Sequence, residues 1–317
     1  MDITVGNINA LGARISLLFN RRLSVVQPTW QKFAMEVPST TSANFYPRLA
    51  ELPGIREWLG PRQIHMLSTA DRMVLANRTF EQTIGITRED LEDDQYGFLM
   101  PVVEGLGSDA AVFPDKLVYE TLAGGRAAKC MDGQNFFDTD HEAIDSTGET
   151  VSYANISTIA GGEAAQPWWY LFDTSQALKP MIFQNRRPFA ITPRTQISAD
   201  NVFMHRRFEW GTDGRCAAGY GFYQFAFCSN RPLTGPVFQD AIAKMAAQCR
   251  RDGTPYGVSP TLMVVPKNLE GPARLLLKST QVATLAPDNK TYVSGSNVWA
   301  DYCDLLVSDR LPQAVGA

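Results

Sequence analysis

The sequence has few charged residues for its length, and this low content limits the classes of protein it can represent. Charged side chains make up 20% of the 317 residues, whereas soluble domains usually have roughly 25%. Apolar residues make up 44%, which excludes a disordered chain. A folded protein with so little charge fits a molecule that hides much of its surface against copies of itself.

Paired cysteines, a signal peptide and long apolar runs are also missing. The cysteines are five, an odd number, widely spaced and without a C-x-x-C pair: Cys130, Cys216, Cys228, Cys249 and Cys303. This favours free thiols over a disulfide framework or a zinc site. The N-terminal MDITVGNINA has no basic or apolar region typical of a signal peptide. No apolar run approaches the roughly 18 residues that span a bilayer. We therefore expect a soluble protein made in the cytoplasm, with no membrane partner.

Positive charge is not in excess either. The net charge is −4 and the isoelectric point is near 5.5, whereas a dedicated nucleic-acid binder normally has a basic domain or stripe. A wall that only encloses nucleic acid remains compatible with this charge.

The first quarter of the chain contains one helical pattern and then a stretch that prolines interrupt. Apolar residues recur at helical spacing, with Thr4 or Asn7 as the cap: Ile8, Leu11, Ile15 and Leu18. We interpret 1–35 as an arm that has no core of its own. Prolines at 38, 47, 53 and 61 break the next segment, 36–80, which we expect to project onto a neighbouring molecule. Within it, 63–69 and 73–76 could pair as a hairpin.

The remainder mixes strands and helices without a steady alternation, which predicts the α+β class. Strands are predicted at 79–86, 168–172, 181–184, 220–228, 261–265 and 304–307. Helices are predicted at about 95–123, 235–249 and 269–277, with Thr87 and Asp90 as a capping pair before the first of them. Pro114 leaves two helices or one kinked helix open. The segments 138–165 and 279–296 are predicted to be loops.

The strongest chemical candidate is an acidic cluster beside a histidine. Asp132, Asp138, Asp140 and His141 offer oxygen and imidazole ligands, so a metal-dependent hydrolase is one hypothesis. However, HEAID at His141 lacks the second histidine of the H-E-x-x-H signature, and the segment does not follow a calcium-loop pattern. Polar residues of this kind are ordinary in tight turns. We therefore predict a structural turn, with no catalytic residue, metal or cofactor.

Two further clusters have ordinary structural interpretations. The acidic run at positions 89–94 follows a capping threonine, where a helix dipole favours negative charge. Tyr220, Phe222, Tyr223, Phe225 and Phe227 could stack on nucleic-acid bases, but the run contains no lysine or arginine, so a strand core is favoured.

Several stretches, in order, are similar to the phage Mu major head subunit (gpT) family. They are TFEQTIGITREDLEDD from Thr79, CMDGQNFFDTDH from Cys130, WYLFDTSQALKPMIFQ from Trp169, FEWGTDGRCAAGYGFYQ from Phe208 and TLMVVP from Thr261. The resemblance spans about 79–266 and weakens towards both ends. It implies a major capsid protein rather than an enzyme. A bacterial compartment shell of the same fold, similar to the encapsulins, is a further alternative.

The resemblance implies the Hong Kong ninety-seven-type phage capsid fold. Its parts would be an N-terminal arm at 1–35, an E-loop region at 36–80, mainly the P-domain at 81–232 with a spine helix at about 95–123, and mainly the A-domain at 233–317. The implied partners are copies of the chain in hexamers and pentamers, a portal protein, a scaffold and protease during assembly, and decoration or minor capsid proteins. The virion shell would be assembled in the host cytoplasm and would enclose double-stranded DNA without sequence-specific binding.

Overall fold

The computed structural model describes residues 3–47, 72–93, 97, 99–250, 252–285 and 292–315. The helices are α1 (Val5–Val25), α2 (Arg88–Asp93), α3 (Leu99–Gly124), α4 (Asp200–Phe203), α5 (Gly235–Ala246) and α6 (Glu270–Lys278). The strands are β1 (Ala34–Pro38), β2 (Ala43–Pro47), β3 (Arg72–Ala76), β4 (Arg78–Thr87), β5 (His141–Ile144), β6 (Thr150–Tyr153), β7 (Ile156–Ser157), β8 (Trp169–Phe172), β9 (Met181–Arg194), β10 (Arg207–Tyr220), β11 (Ala226–Ser229), β12 (Leu262–Pro266), β13 (Gln281–Leu285), β14 (Tyr292–Ser296) and β15 (Asp304–Ser308). Helices and strands are mixed along the chain, which confirms the α+β prediction.

Two larger sheets organise these strands. A four-stranded sheet has the order β1-β9-β10-β4, in which β1 runs parallel to β9 and β10 is antiparallel to both of its neighbours. A five-stranded sheet has the order β15-β12-β8-β11-β7. Three of its strands precede position 232 and two follow it, so this sheet combines chain from both predicted domains. Three two-stranded hairpins, β2-β3, β5-β6 and β13-β14, complete the described strands.

Helix α1 forms for the reason the sequence indicated, but its packing differs from the expectation. The Thr4 hydroxyl accepts a hydrogen bond from the Asn7 backbone N–H at 3.2 Å, which caps the helix. Ile8, Ile15 and Phe19 are buried in a cluster shared with α3. The expectation that 1–35 has no core within its own subunit is therefore wrong, because the apolar stripe of α1 has a partner surface on α3.

Helix α3 is one continuous helix that contains Pro114. This decides between the two alternatives that the sequence left open. Asp115, which is buried, accepts hydrogen bonds from the backbone N–H groups of Thr29 (2.8 Å) and Trp30 (2.7 Å). A buried carboxylate with several donors is well satisfied, so the end of the N-terminal segment is fixed to this helix. Of the predicted start of the helix, 95, 96 and 98 lie outside the described residues.

Two segments predicted to be loops contain hairpins instead. Within 138–165 the strands β5 and β6 pair, and within 279–296 the strands β13 and β14 pair. Asp145 holds the first turn by accepting from the backbone N–H groups of Thr147 (2.8 Å) and Glu149 (3.0 Å). Most side chains of β5 and β6 are not buried, so these strands lack the apolar alternation by which strands are recognised.

The strand predicted at 220–228 is divided in the structure. Tyr220 ends β10, Tyr223–Phe225 form a 3₁₀ turn, and Ala226 begins β11. Gly221 lies at the break, and only glycine fits there because a Cβ would lie 2.6 Å from the carbonyl oxygen of Lys179. The other strands and helices occur where predicted, although 181–184 is only the first part of β9. In the predicted hairpin, 63–69 lies outside the described residues, and 73–76 belongs to β3, which pairs with β2.

Candidate functional site at the Cys130–His141 turn

The candidate segment is a closed turn directly after α3. The Cys130 backbone N–H donates to the carbonyl oxygen of Gln134 at 2.8 Å, and the Phe136 N–H donates to that of Ala128 at 3.0 Å. Gly133 occupies the tip with φ +83°, a conformation that glycine adopts without steric cost. The local sequence therefore forms a tight hairpin-like turn whose backbone is hydrogen-bonded.

Two aromatic rings fix this turn in the core. Phe136 and Phe137 are buried, and their centroids lie 4.8 Å apart in an edge-to-face arrangement. Phe136 stacks on Tyr220 at 4.8 Å, and Phe137 lies 5.6 Å from Tyr170. Gly125 allows this approach, because a Cβ there would lie 2.9 Å from the Phe137 ring. These contacts join the turn to both larger sheets.

Asp132 is the centre of a buried polar cluster. Its Oδ2 lies 2.6 Å from Nδ1 of His141, and its Oδ1 accepts hydrogen bonds from the Cys130 thiol (2.9 Å) and the Gln134 N–H (3.1 Å). Burial raises the pKa of Asp132, but the hydrogen bonds from His141 and Cys130 outweigh it and lower the pKa to about 2. The carboxylate is therefore ionised at neutral pH, and His141 donates its Nδ1 proton to it.

The other two acidic candidates belong to separate interactions. Asp138 accepts from the backbone N–H groups of Asn135 (3.1 Å) and Thr139 (2.8 Å). Asp140 accepts from the Gln134 side-chain amide at 3.3 Å. The structure thus brings together Asp132 and His141 from the predicted set of four, and leaves Asp138 and Asp140 outside the cluster.

The sequence interpretation did not include Cys130, which is the third member of the cluster. The potential ligand atoms of Cys130, Asp132 and His141 lie within 4.8 Å of one another. Their C-x-D spacing was the available signal. A thiol binds a metal as the thiolate, but burial, followed by the hydrogen bond to Asp132, raises the Cys130 pKa to about 12. The same atoms already satisfy one another as hydrogen-bond partners.

The geometry also opposes general-base chemistry at His141. An Asp–His pair activates a nucleophile when the second ring nitrogen reaches a substrate. The His141 side chain is fully buried, and its ring stacks on Tyr223 at a centroid distance of 3.9 Å. No substrate reaches the ring without opening the core.

The other sequence candidates are buried or paired with neighbouring side chains in the described part of the chain. Every aromatic residue of the 220–227 run is buried, which confirms the core prediction. In the acidic run, the Thr87 hydroxyl accepts from the Asp90 N–H at 3.1 Å, Arg88 pairs with Glu92 at 2.9 Å, and Glu89 pairs with Arg206 at 2.8 Å. Position 94 of the acidic run lies outside the described residues.

Comparison with known proteins identifies the family. The family described as Mu-like prophage major head subunit gpT matches residues 8–311 of this chain. The chain belongs to this family. It is 37% identical over 314 residues to the major capsid protein of Escherichia phage Mu, covering 98% of this chain and 100% of that protein.

Two solved structures support the fold of this gpT-family chain. A chain from the procapsid of bacteriophage JBD30 is 33% identical, with a TM-score of 0.80, covering 98% of this chain and 100% of that one. A chain from the JBD30 capsid decorated with minor capsid protein trimers is 25% identical, with a TM-score of 0.70, covering 92% and 93%. This chain has the Hong Kong ninety-seven-type capsid fold and is a major capsid protein that self-assembles into a phage shell.

The family decides between the hypotheses that the sequence left open. The gpT family is structural, so the prediction that this chain is not an enzyme is confirmed. The comparisons give no support to a metal-dependent hydrolase or an encapsulin-like compartment shell. Among the described residues, no helix has the combination of length and apolar character that crossing a membrane requires.

Proposed function

We propose that this chain builds an icosahedral shell from hexamers and pentamers, that the shell encloses double-stranded DNA, and that it is assembled in the host cytoplasm. The observation that supports this most strongly is the similarity to a procapsid chain over 98% of its length. Electron microscopy of particles from cells that produce the chain with its head-assembly proteins tests the proposal, and closed shells are expected. A chain that stays monomeric at every concentration with those proteins present would contradict it.

We infer the following division of the subunit. Residues 1–35 are the N-terminal arm, 36–80 the E-loop region, 81–232 mainly the P-domain with α3 as its spine helix, and 233–317 mainly the A-domain. Strands β7, β8 and β11 lie in the same sheet as β12 and β15, which supports assigning these three strands to the A-domain. Amide hydrogen exchange in assembled and in free subunits tests this division. On assembly, the P-domain and the A-domain should each gain protection in different segments, because each contacts different neighbours.

We further propose partners beyond the shell itself. These are a portal protein at one vertex, a scaffold and a protease during assembly, and a minor capsid protein on the outer surface. Support for the last comes from the JBD30 capsid, which is decorated with minor capsid protein trimers. Mass spectrometry of purified particles and of their precursors should detect these components. A precursor particle that contains this chain alone would contradict the scaffold proposal.

We propose that the turn at 130–141 is structural, with no catalytic, metal or cofactor role for Asp132, Asp138, Asp140 or His141. The mutual hydrogen bonds of Cys130, Asp132 and His141 and the burial of the imidazole support this. The metal content of purified particles is measured for the parent chain and for the Asp132→Asn variant. Stoichiometric metal that is present in the parent and lost in the variant would overturn the proposal.

We infer that the DNA is enclosed without strong binding to the subunit. The net charge is −4, and several arginines are already engaged: Arg187 pairs with Asp213, Arg206 pairs with Glu89, and Arg186 donates to the carbonyl oxygen of Thr41. Few phosphates can then be neutralised, so isolated subunits should bind duplex DNA no more tightly than roughly 10⁻⁶ M at physiological salt. A nanomolar, sequence-dependent complex would contradict this.

A further inference from the structure

Two large apolar side chains stand in solvent at the connection between β9 and β10. Phe203 is 77% exposed and Met204 is 68% exposed, at the end of α4. Single exposed apolar residues are common, but two adjacent large ones form a patch that marks an interaction surface more often than a random site does. We call Phe203 and Met204 the knob.

Hydrogen bonds and an ion pair fix the connection that carries the knob. The side-chain amide of the buried Asn201 donates to the carbonyl oxygens of Arg194 (2.8 Å) and Arg207 (2.9 Å), which closes the connection at its base. Arg206, with φ +51°, pairs with Glu89 on α2 at 2.8 Å. The knob is therefore presented on a braced connection, and binding would cost little ordering entropy.

An apolar groove lies on the elements that the knob's connection contacts, because Arg206 pairs with Glu89 of α2 and Val202 is buried in one cluster with Leu91 and Leu99. The elements β4, α2 and α3 form a cavity of about 570 Å³, lined by Ile84, Ile86, Leu91, Leu99 and Val102. Val102 is 52% exposed at the edge of this groove. Its lining is the surface that an inserted aromatic or thioether side chain would bury.

The charges around the two features are complementary. Asp90 lines the groove and Glu92 and Asp93 are exposed on the same helix α2, whereas Arg206 and Arg207 are exposed beside the knob. Arg206 already pairs with Glu89 of the same subunit. Attraction between Arg207 of one subunit and Asp90 or Asp93 of another would orient the knob towards the groove.

We propose that the knob of one subunit inserts into the groove of a neighbouring copy in the shell. The occupant is a second copy because the chain self-assembles and each copy presents both halves of the contact with opposite flanking charge. A knob and a groove side by side make a heterologous contact, which closes into a ring when the rotation permits. This inference rests on the shell-forming function.

Site-specific cross-linking tests the contact. All five native cysteines are buried, so a maleimide reagent reacts with an introduced surface thiol in preference to them. Chains with Met204→Cys are assembled together with chains with Val102→Cys, and the particles are treated with a short bis-maleimide. A covalent dimer is expected from particles and not from unassembled subunits. The matched control uses chains with Leu275→Cys in place of chains with Val102→Cys. Leu275 lies on α6 and is 65% exposed, and this combination should give no dimer.

A second variant measures the energetic weight of the knob. Phe203→Asp should raise the protein concentration needed for shell formation at least tenfold, since buried aromatic anchors dominate interface energies. The Tm of the free subunit should not change, because the side chain is exposed there. Normal shells without the cross-link, or a cross-link from Met204→Cys to a different capsid component, would overturn the knob contact alone. Failure of the parent chain to assemble would overturn the shell function as well.

Discussion

Gln184 joins the β2-β3 hairpin to the four-stranded sheet through a fully buried side chain. It accepts from the Tyr46 hydroxyl (2.9 Å) and donates to the Leu75 carbonyl oxygen (3.1 Å) and to Asn77 Oδ1 (2.8 Å). Gln184→Leu would leave these groups unsatisfied, so the free energy of unfolding should fall by about 1–3 kcal/mol. Chemical denaturation measures this, and hydrogen exchange of β2 and β3 should accelerate. The neighbouring Asn185→Leu removes one exposed hydrogen bond, to Glu36 at 2.8 Å, and should cost only about 0.5 kcal/mol.

Asp132 gives the turn a dependence on pH that can be measured. Because its folded pKa, about 2, lies below the ordinary value of 3.8, ionised Asp132 stabilises the fold above pH 3.8, and this contribution disappears as the pH falls towards 2. Asp132→Asn should reduce stability at pH 7 and weaken the fall in stability between pH 4 and 2. Denaturant titrations at pH 7 and pH 3 test this. Asp140→Asn is the control, with a small effect at both values, and equal losses in both variants would contradict the role of Asp132.

At the scale of elements, the crossing of α1 over α3 depends on a single glycine. A Cβ on Gly107 would lie 2.9 Å from the carbonyl oxygen of Phe19 and 3.0 Å from Cβ of Arg22, whereas a Cβ on Gly105 would meet nothing within 4 Å. Gly107→Ala should destabilise by about 1–3 kcal/mol through overpacking. Gly105→Ala, in the same helix, should stabilise by roughly 0.5–1 kcal/mol. Thermal unfolding measures both, and changes of the same sign would contradict the close packing of α1.

The elements also show what local sequence can and cannot predict. The α1 stripe, the Thr87 cap and the buried strand at 261–265 were predictable because a period or a cap depends on neighbours in sequence. The packing of α1 on α3 was not, because the complementary surface lies more than 80 positions away. The full length of β9 and β10 was missed because inward positions of β10 include Thr212 and Cys216 rather than an unbroken series of large apolar residues. Likewise, Asp132 and His141 were candidates from sequence, but only the fold separates them from Asp138 and Asp140.

At the scale of the whole molecule, one core connects both larger sheets. Phe33, just before β1, stacks on Phe172 of β8 at 5.1 Å and meets Tyr119 of α3 edge-on at 5.3 Å. These residues belong to a continuous buried cluster that includes Tyr220 of β10 and Val264 of β12. The unassembled subunit should therefore unfold in one transition, with equal calorimetric and van't Hoff enthalpies. Two separate transitions in scanning calorimetry would show that the sheets are independent units.

The burial of every cysteine has a consequence for the life of the particle outside a cell. Burial raises the pKa of the Cys130 and Cys303 thiols to about 12 and that of Cys216 to about 11, and the pKa of Cys228 is raised well above its ordinary value. Oxidants and disulfides react with the thiolate, which is then scarce as well as shielded. The cysteines of a released virion therefore stay reduced in aerated surroundings, so the wall does not acquire disulfide cross-links as it ages.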